Sequence, residues 1–179
     1  MISGIQCETD TAKAHTLDAE FMVEMEIFGL TTSTRTASAY ALILIEAGGS
    51  RRLPIIIGAY EAQAIALEME QIKPPRPMTH DLTMQIITDL GGQIEHVVVH
   101  HLKEGTYYAN ISIKGPISHH DVDARPSDAI ALAVRLSCPI YVDELVLEEA
   151  GVEHEENPTE EGDMNPTKKP DTRLTEEKK

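Results

Sequence analysis

Two polar blocks carry residue types that can do chemistry: Arg76-Pro77-Met78-Thr79-His80-Asp81 and Asp121-Val122-Asp123-Ala124-Arg125-Pro126-Ser127-Asp128, with Glu61 standing apart from both. Carboxylates such as Glu61, Asp81, Asp123 and Asp128 can together hold a hard divalent cation, and magnesium or manganese suits oxygen ligands better than zinc. Arg76 and Arg125 offer planar paired donors for an anion. His80 can give or take a proton near neutral pH. A plainer reading stands beside this one. An acid at a helix start is commonly a cap, and Arg125 can simply pair with Asp81 or Asp128 to hold two helix starts together. His119-His120 beside Asp121 is a weak metal motif, because neighbouring strand residues point to opposite faces.

These residues need helix starts to position them, and the sequence supplies three. Pro126 presets the backbone of a first helical turn, Ser127 can cap free amides, and Asp128 suits the positive end of the helix dipole. The helix that follows runs to about Ser137. Ala129, Leu132, Ala133 and Leu136, widened by Ile130 and Val134, leave little but Asp128 and Arg135 for water. Glu61 opens another helix with Ala62, Ile65, Ala66 and Met69 as its buried stripe. Thr79 caps a third, in which Leu82, Ile86 and Leu90 align, with Ile87 adjacent, before Gly91-Gly92. Between these two, Lys73-Pro74-Pro75-Arg76-Pro77 is a stiff non-helical connector.

Strands fill the remainder. Phe21–Phe28 alternates, Ala39–Ile45 is apolar throughout, Gly48-Gly49 marks a hairpin, and Arg52–Ile57 returns. Pro54 places that strand at an edge or bulge. Gln93–His101 and Tyr107–Lys114 form a second antiparallel pair, and Ile140-Tyr141-Val142 is a short inner strand. Asp143–Leu147 suits either a strand extension or a short helix. The order predicts an α+β fold: a single compact domain with a mixed or antiparallel sheet and three main helices. Its bounds are 20–147, between an N-terminal extension over 1–19 and an acidic, largely disordered tail over 148–179.

The chain of 179 residues is 41% hydrophobic, enough for a sizeable core. No apolar run approaches the roughly 18 residues of a membrane span, and no signal peptide is evident, so a cytoplasmic location and no membrane partner are expected. Cys7 and Cys138 suggest neither a disulfide framework nor a metal-binding pair. The net charge is −15, and residues 148–179 hold eleven acids against five bases. The part between the ends is still acidic, so a polyanion must meet a local basic site or a bridging cation. Apolar helices and open strand edges point to a homo-oligomer.

The blocks Leu53-Pro54-Ile55-Ile56-Ile57-Gly58, Glu61-Ala62, Pro75–Leu82 and Asp123–Ala133, in this order and spacing, make the chain resemble the bifunctional nuclease domain family over residues 20–147. The chain has Ile56 where a bulky aromatic is common, and Glu70-Gln71 where a glycine often follows the first helix. The resemblance implies a compact α+β domain and cleavage of DNA, RNA or both with little sequence preference, as associated with plant members. Such cleavage needs an activated water, neutralised phosphoryl charge and help for the leaving oxygen. Glu61, His80, Asp81, Asp123 and Asp128 are the candidates for catalysis, the four carboxylates among them for the divalent ion, and Arg76 and Arg125 for the substrate. The alternative is a non-catalytic oligomeric binding or regulatory module whose acid-arginine cluster is structural or holds an anion. The shortage of base-stacking aromatics, with two Phe and no Trp, favours that alternative.

Overall fold

The computed structural model describes residues 21–33 and 39–153. The extension over 1–19, residue 20, residues 34–38 and the tail beyond Glu153 lie outside the described residues. Twelve elements follow in order: β1 (Met22–Thr32), β2 (Ala39–Glu46), β3 (Arg51–Gly58), α1 (Ala59–Met69), α2 (Thr79–Asp89), β4 (Gln93–Lys103), β5 (Thr106–Lys114), β6 (His119–Ala124), α3 (Pro126–Leu136), β7 (Ile140–Asp143), α4 (Glu144–Ala150) and β8 (Val152–Glu153). The fold is α+β, with one eight-stranded sheet in the order β6-β5-β4-β7-β1-β2-β3-β8.

Every neighbouring pair in that sheet is antiparallel except β4 with β7. The phenol of Tyr107 on β5 donates to the carbonyl of Pro54 on β3 at 3.3 Å, although four strands separate β5 from β3. The sheet must therefore curl until its two halves approach. Helix α3 fills the trough, with every residue from Ala129 to Ala133 buried, and α4 bridges β3 and β4 from the same side. Alternate residues of each strand face this core: Leu42 and Leu44, Leu53, Ile55 and Ile57, Val97 and Val99, Ala109 and Ile111. Pro54 is accommodated because β8 covers β3 only at Arg51 and Arg52, so its missing N–H falls on a free edge.

Several expectations change. His119–Ala124, absent from the strands expected from sequence, is the edge strand β6, paired throughout with β5. Asp143–Leu147 divides between the end of β7 and α4, whose Val146 and Leu147 are buried, and Glu148–Glu153 complete α4 and β8 instead of belonging to the tail. On α2, Leu82, Ile86 and Leu90 face outward while Met84 and Ile87 pack against the core. Met69 at the end of α1 is also exposed. Arg135, read as solvated, has a side chain only 3% exposed.

Candidate functional site

The start of α1 and the start of α3 are set by strands that run into helices without a loop. Gly58 ends β3 and serves as the N-cap of α1, so Glu61 lies in the first turn. A Cβ on Gly58 would strike the Glu61 carboxylate, so the missing side chain leaves that carboxylate its place. Ala124 ends β6, Arg125 is the N-cap of α3, Pro126 occupies N1 and Asp128 falls in the first turn. Helices α1 and α3 pack together through small buried residues, among them Ala62 and Ala129, and that packing brings the two starts side by side.

Arg125 joins them. Its Nε and Nη2 donate to the two carboxylate oxygens of Asp128 at 2.8 and 3.1 Å, and Nη1 donates to Glu61 Oε1 at 3.0 Å. Its side chain is nevertheless 66% exposed. His80, in the first turn of α2, brings Nε2 to 3.5 Å from Asp128 Oδ1 with only 16% of its side chain exposed. Burial pushes the Asp128 acid up, but the two Arg125 bonds, its charge and the His80 contact together hold it below the ordinary carboxylate value. The same carboxylates push the Arg125 guanidinium further up, fixing its charge. The cap role open to Asp128 from sequence is not taken, because its oxygens go to Arg125 and His80 rather than to backbone amides.

The remaining candidates are placed elsewhere. Asp81 Oδ2 accepts the Met78 amide at 2.8 Å, which caps α2, and Oδ1 accepts Arg135 Nε at 2.9 Å. The Met78 bond, then Arg135, draw the Asp81 acid down against the opposing effect of burial. Arg135 also reaches the carbonyls of Ala131 and Ala64, so this pair ties α1, α2 and α3 together. Arg76 lines a groove beside Asp81 and Arg135 and forms no ion pair among the described residues. Asp123 lies opposite Asn110, whose strand neighbours Ala109 and Ile111 face the core. It therefore projects from the outer face of the sheet, away from Glu61 and Asp128. His119 pairs with Glu95, His120 with Ser118, and Asp121 accepts from Ser112.

Among the described residues, no three His, Cys, Asp or Glu side chains meet closely enough to hold an ion. Glu61 and Asp128, the two carboxylates that do approach one another, are bridged by a guanidinium standing where a bridging cation would sit. As arranged, these donors do not fit a resident divalent ion.

Arg125 and Glu61 form one rim of an open cleft of about 830 Å³. Its walls come from the ends of β1 and β3, the β4–β5 turn and the start of α3. Thr31, Thr106, Tyr107 and Ser127 form a polar wall beside the apolar Pro54 and Ile56, with the Tyr107 hydroxyl spent on the Pro54 carbonyl. Burial, and then Glu149, push the Tyr107 phenol up, so it enters this wall as a neutral donor. Sequence reasoning missed this wall, since lone Thr and Tyr residues in strands carry no spacing signal.

Residues 42–155 match the model of the bifunctional nuclease domain. The chain belongs to that family. An uncharacterized protein of Mycobacterium tuberculosis is 50% identical over 111 residues, 62% of this chain and 66% of its own length. Bifunctional nuclease 2 of Oryza sativa subsp. japonica is 28% identical over 106 residues, 57% of this chain and 33% of its own length. Bifunctional nuclease 1 of Oryza sativa subsp. indica is 25% identical over 111 residues, 60% of this chain and 34% of its own length. The chain thus spans about two thirds of its mycobacterial relative and a third of the rice nucleases. Glu61, His80, Arg125 and Asp128 all fall within the matched bifunctional nuclease domain. No helix among the described residues is long and apolar enough to cross a membrane.

Proposed function

We propose that this bifunctional nuclease domain hydrolyses phosphodiester bonds of DNA, RNA or both, and that the reaction is carried out at the Glu61, His80, Arg125, Asp128 cluster. The observation that carries this reading is the guanidinium of Arg125, fixed in charge and direction by two carboxylates yet open to a cleft. Three of its N–H groups are engaged, and two of the five that an arginine carries remain for phosphate oxygens. Glu61, on the rim of the cleft, is assigned to take a proton from an attacking water, and His80, 3.5 Å from Asp128, to return one to a leaving oxygen. Asp128 then serves as a positioning residue, orienting both Arg125 and His80. The relatives named as nucleases support the activity. The net charge of −15 supports contact with few phosphates at a time.

A magnesium or manganese requirement, expected from the sequence, would need Arg125 to leave Glu61 and Asp128. No step is routed through such an ion. The non-catalytic alternative has one specific observation in its favour: the carboxylates hold Arg125 as a complete structural ion-pair set. In either case a homo-oligomer is proposed, since Leu82 and Ile86 on α2 and Leu90 at its C-cap lie uncovered, and the cytoplasmic location expected from the sequence is proposed with it.

The test is cleavage of single- and double-stranded DNA and of RNA by highly purified full chain, with magnesium, manganese or chelator. Wild type is compared with Asp128→Asn and His80→Gln at matched folding. Activity that co-purifies with the protein and falls at least tenfold in both variants is expected. Activity that fractionates away from the protein, or variants that cut as fast as wild type, would leave the cluster structural.

A further inference from the structure

Ser127 is buried to 6% exposure at the second position of α3, yet its hydroxyl caps no amide and forms no hydrogen bond among the described residues. Although the residue is buried, its hydroxyl oxygen is not among the enclosed unpartnered side-chain atoms of the described residues, which are Arg52 Nε and His100 Nε2, so it meets solvent and can donate to a ligand. It lines the cleft rather than the core. Its own amide is a second unspent donor. The amides of Asp128 and Ala129 both go to the Arg125 carbonyl, whereas a residue at the second helical position has no intrahelical acceptor. Pro126 at the first position has no N–H to offer, so the donors at this helix end converge on one residue.

We propose that Ser127 and Arg125 form a subsite for the phosphate group of a single nucleotide entering the cleft end-on. Ser127 donates its hydroxyl and its amide at the positive end of an eleven-residue helix, and Arg125 adds the two N–H groups left free by Glu61 and Asp128. The two carboxylates leave the three-residue cluster with one net negative charge. The anion is therefore held by directed short-range donors rather than by attraction at a distance. That arrangement favours one phosphate at a chain end over several along a backbone, consistent with the acidic balance of the chain. The cleft volume of about 830 Å³ falls within the ordinary range of small-molecule sites, roughly 300–1,000 Å³. Thr31, Thr32 and Thr106 on its walls suit a sugar, and Pro54 and Ile56 offer an apolar surface to a base.

The choice of a nucleotide rests on the nuclease reading, whereas the phosphate subsite is read from the cleft alone. The experiment therefore uses ligands with no phosphodiester bond to cut. The full chain is titrated with a nucleoside 5′-monophosphate, the same nucleoside without phosphate, and inorganic phosphate, by calorimetry and by amide chemical shifts. The monophosphate is expected to bind, to shift the Ser127 amide, and to bind the dephosphorylated nucleoside's site at least tenfold more tightly than that nucleoside does. Ser127→Ala should weaken it about tenfold, the loss of one hydrogen bond to a charged group, without lowering the melting temperature. Inorganic phosphate moving the same amides would support the subsite. Equal binding of nucleoside and monophosphate, an unmoved Ser127 amide, or an Ser127→Ala variant that folds and binds as wild type would overturn it. Binding without any cleavage would refute only the nuclease reading, and cleavage with no Ser127 response only the subsite.

Discussion

Arg135 and Asp81, 54 residues apart in sequence, meet at 2.9 Å between Nε and Oδ1, and the arginine side chain is almost wholly enclosed. The other two nitrogens of that guanidinium end on the carbonyls of Ala131 and Ala64, so one side chain fastens three helices whose starts carry the candidate site. Arg135→Ala should leave an acid beside an emptied space and lower stability by about 3 kcal/mol, as for other broken enclosed ion pairs. Urea denaturation checks this. A midpoint equal to that of wild type would show that water replaces the guanidinium at no cost.

Asp81 gives the same fastening a pH signature. Its folded-state acid is held below the ordinary value, first by the Met78 amide and then by Arg135, so it stabilises the fold wherever the unfolded chain's acid is ionised. That contribution is full above about pH 4, near the ordinary aspartate value, and declines as pH falls through the lower folded value. Asp81→Asn should therefore melt below wild type at pH 7, and the gap should close below about pH 4. Melting curves from pH 7 to pH 2 measure it, and a gap that widens on acidification contradicts the assignment.

The outward stripe of α2 gives a different test. Leu82, Ile86 and Leu90 stand at four-residue intervals and are 55%, 50% and 76% exposed. If a second copy covers them, Ile86→Glu should lower the mass seen by light scattering at micromolar concentration while leaving the circular dichroism spectrum unchanged. A wild type that is already monomeric would remove the proposal.

How much of this was legible in the sequence depends on where the deciding interaction lies. The start of α3 was readable because Pro126 and the apolar run behind it are local signals, and the Arg125–Asp128 pair follows from their spacing on that turn. Strand β6 was not, because five of its six residues are exposed, and its pairing with β5 leaves no alternation to read. Arg135 looked like the wet window of an apolar helix, since nothing near it in sequence announces Asp81. The stripe on α2 was visible as a stripe, but which side met the core was settled by Met84 and Ile87 packing against it. Glu61 and Asp123 had equal standing as acids near helix starts. Packing of α1 on α3 brought Glu61 to Arg125, while registration of β6 on β5 turned Asp123 to the outer face.

Glu61 and Asp128 share Arg125 unequally, and the inequality separates binding from chemistry. Asp128 takes two of its N–H groups and Glu61 one, so replacing Glu61 should free Nη1 without loosening the hold of Asp128. Glu61→Gln keeps the size of the side chain, removes a negative charge from the rim of the cleft, and removes the group proposed to take a proton from water. If Arg125 binds phosphate and Glu61 acts in the chemical step, KM should fall several-fold as a competing acceptor weakens, while kcat should fall by about a hundredfold, in the range of general-base losses. A purely structural Glu61 would give another pattern, in which KM rises or stays level and kcat follows the loss of folded protein. The measurement is steady-state cleavage of a short single-stranded oligonucleotide by wild type and Glu61→Gln, with folded fractions matched by denaturation. Equal kcat in the two proteins would remove Glu61 from the chemistry, and a raised KM would remove Arg125 from phosphate binding.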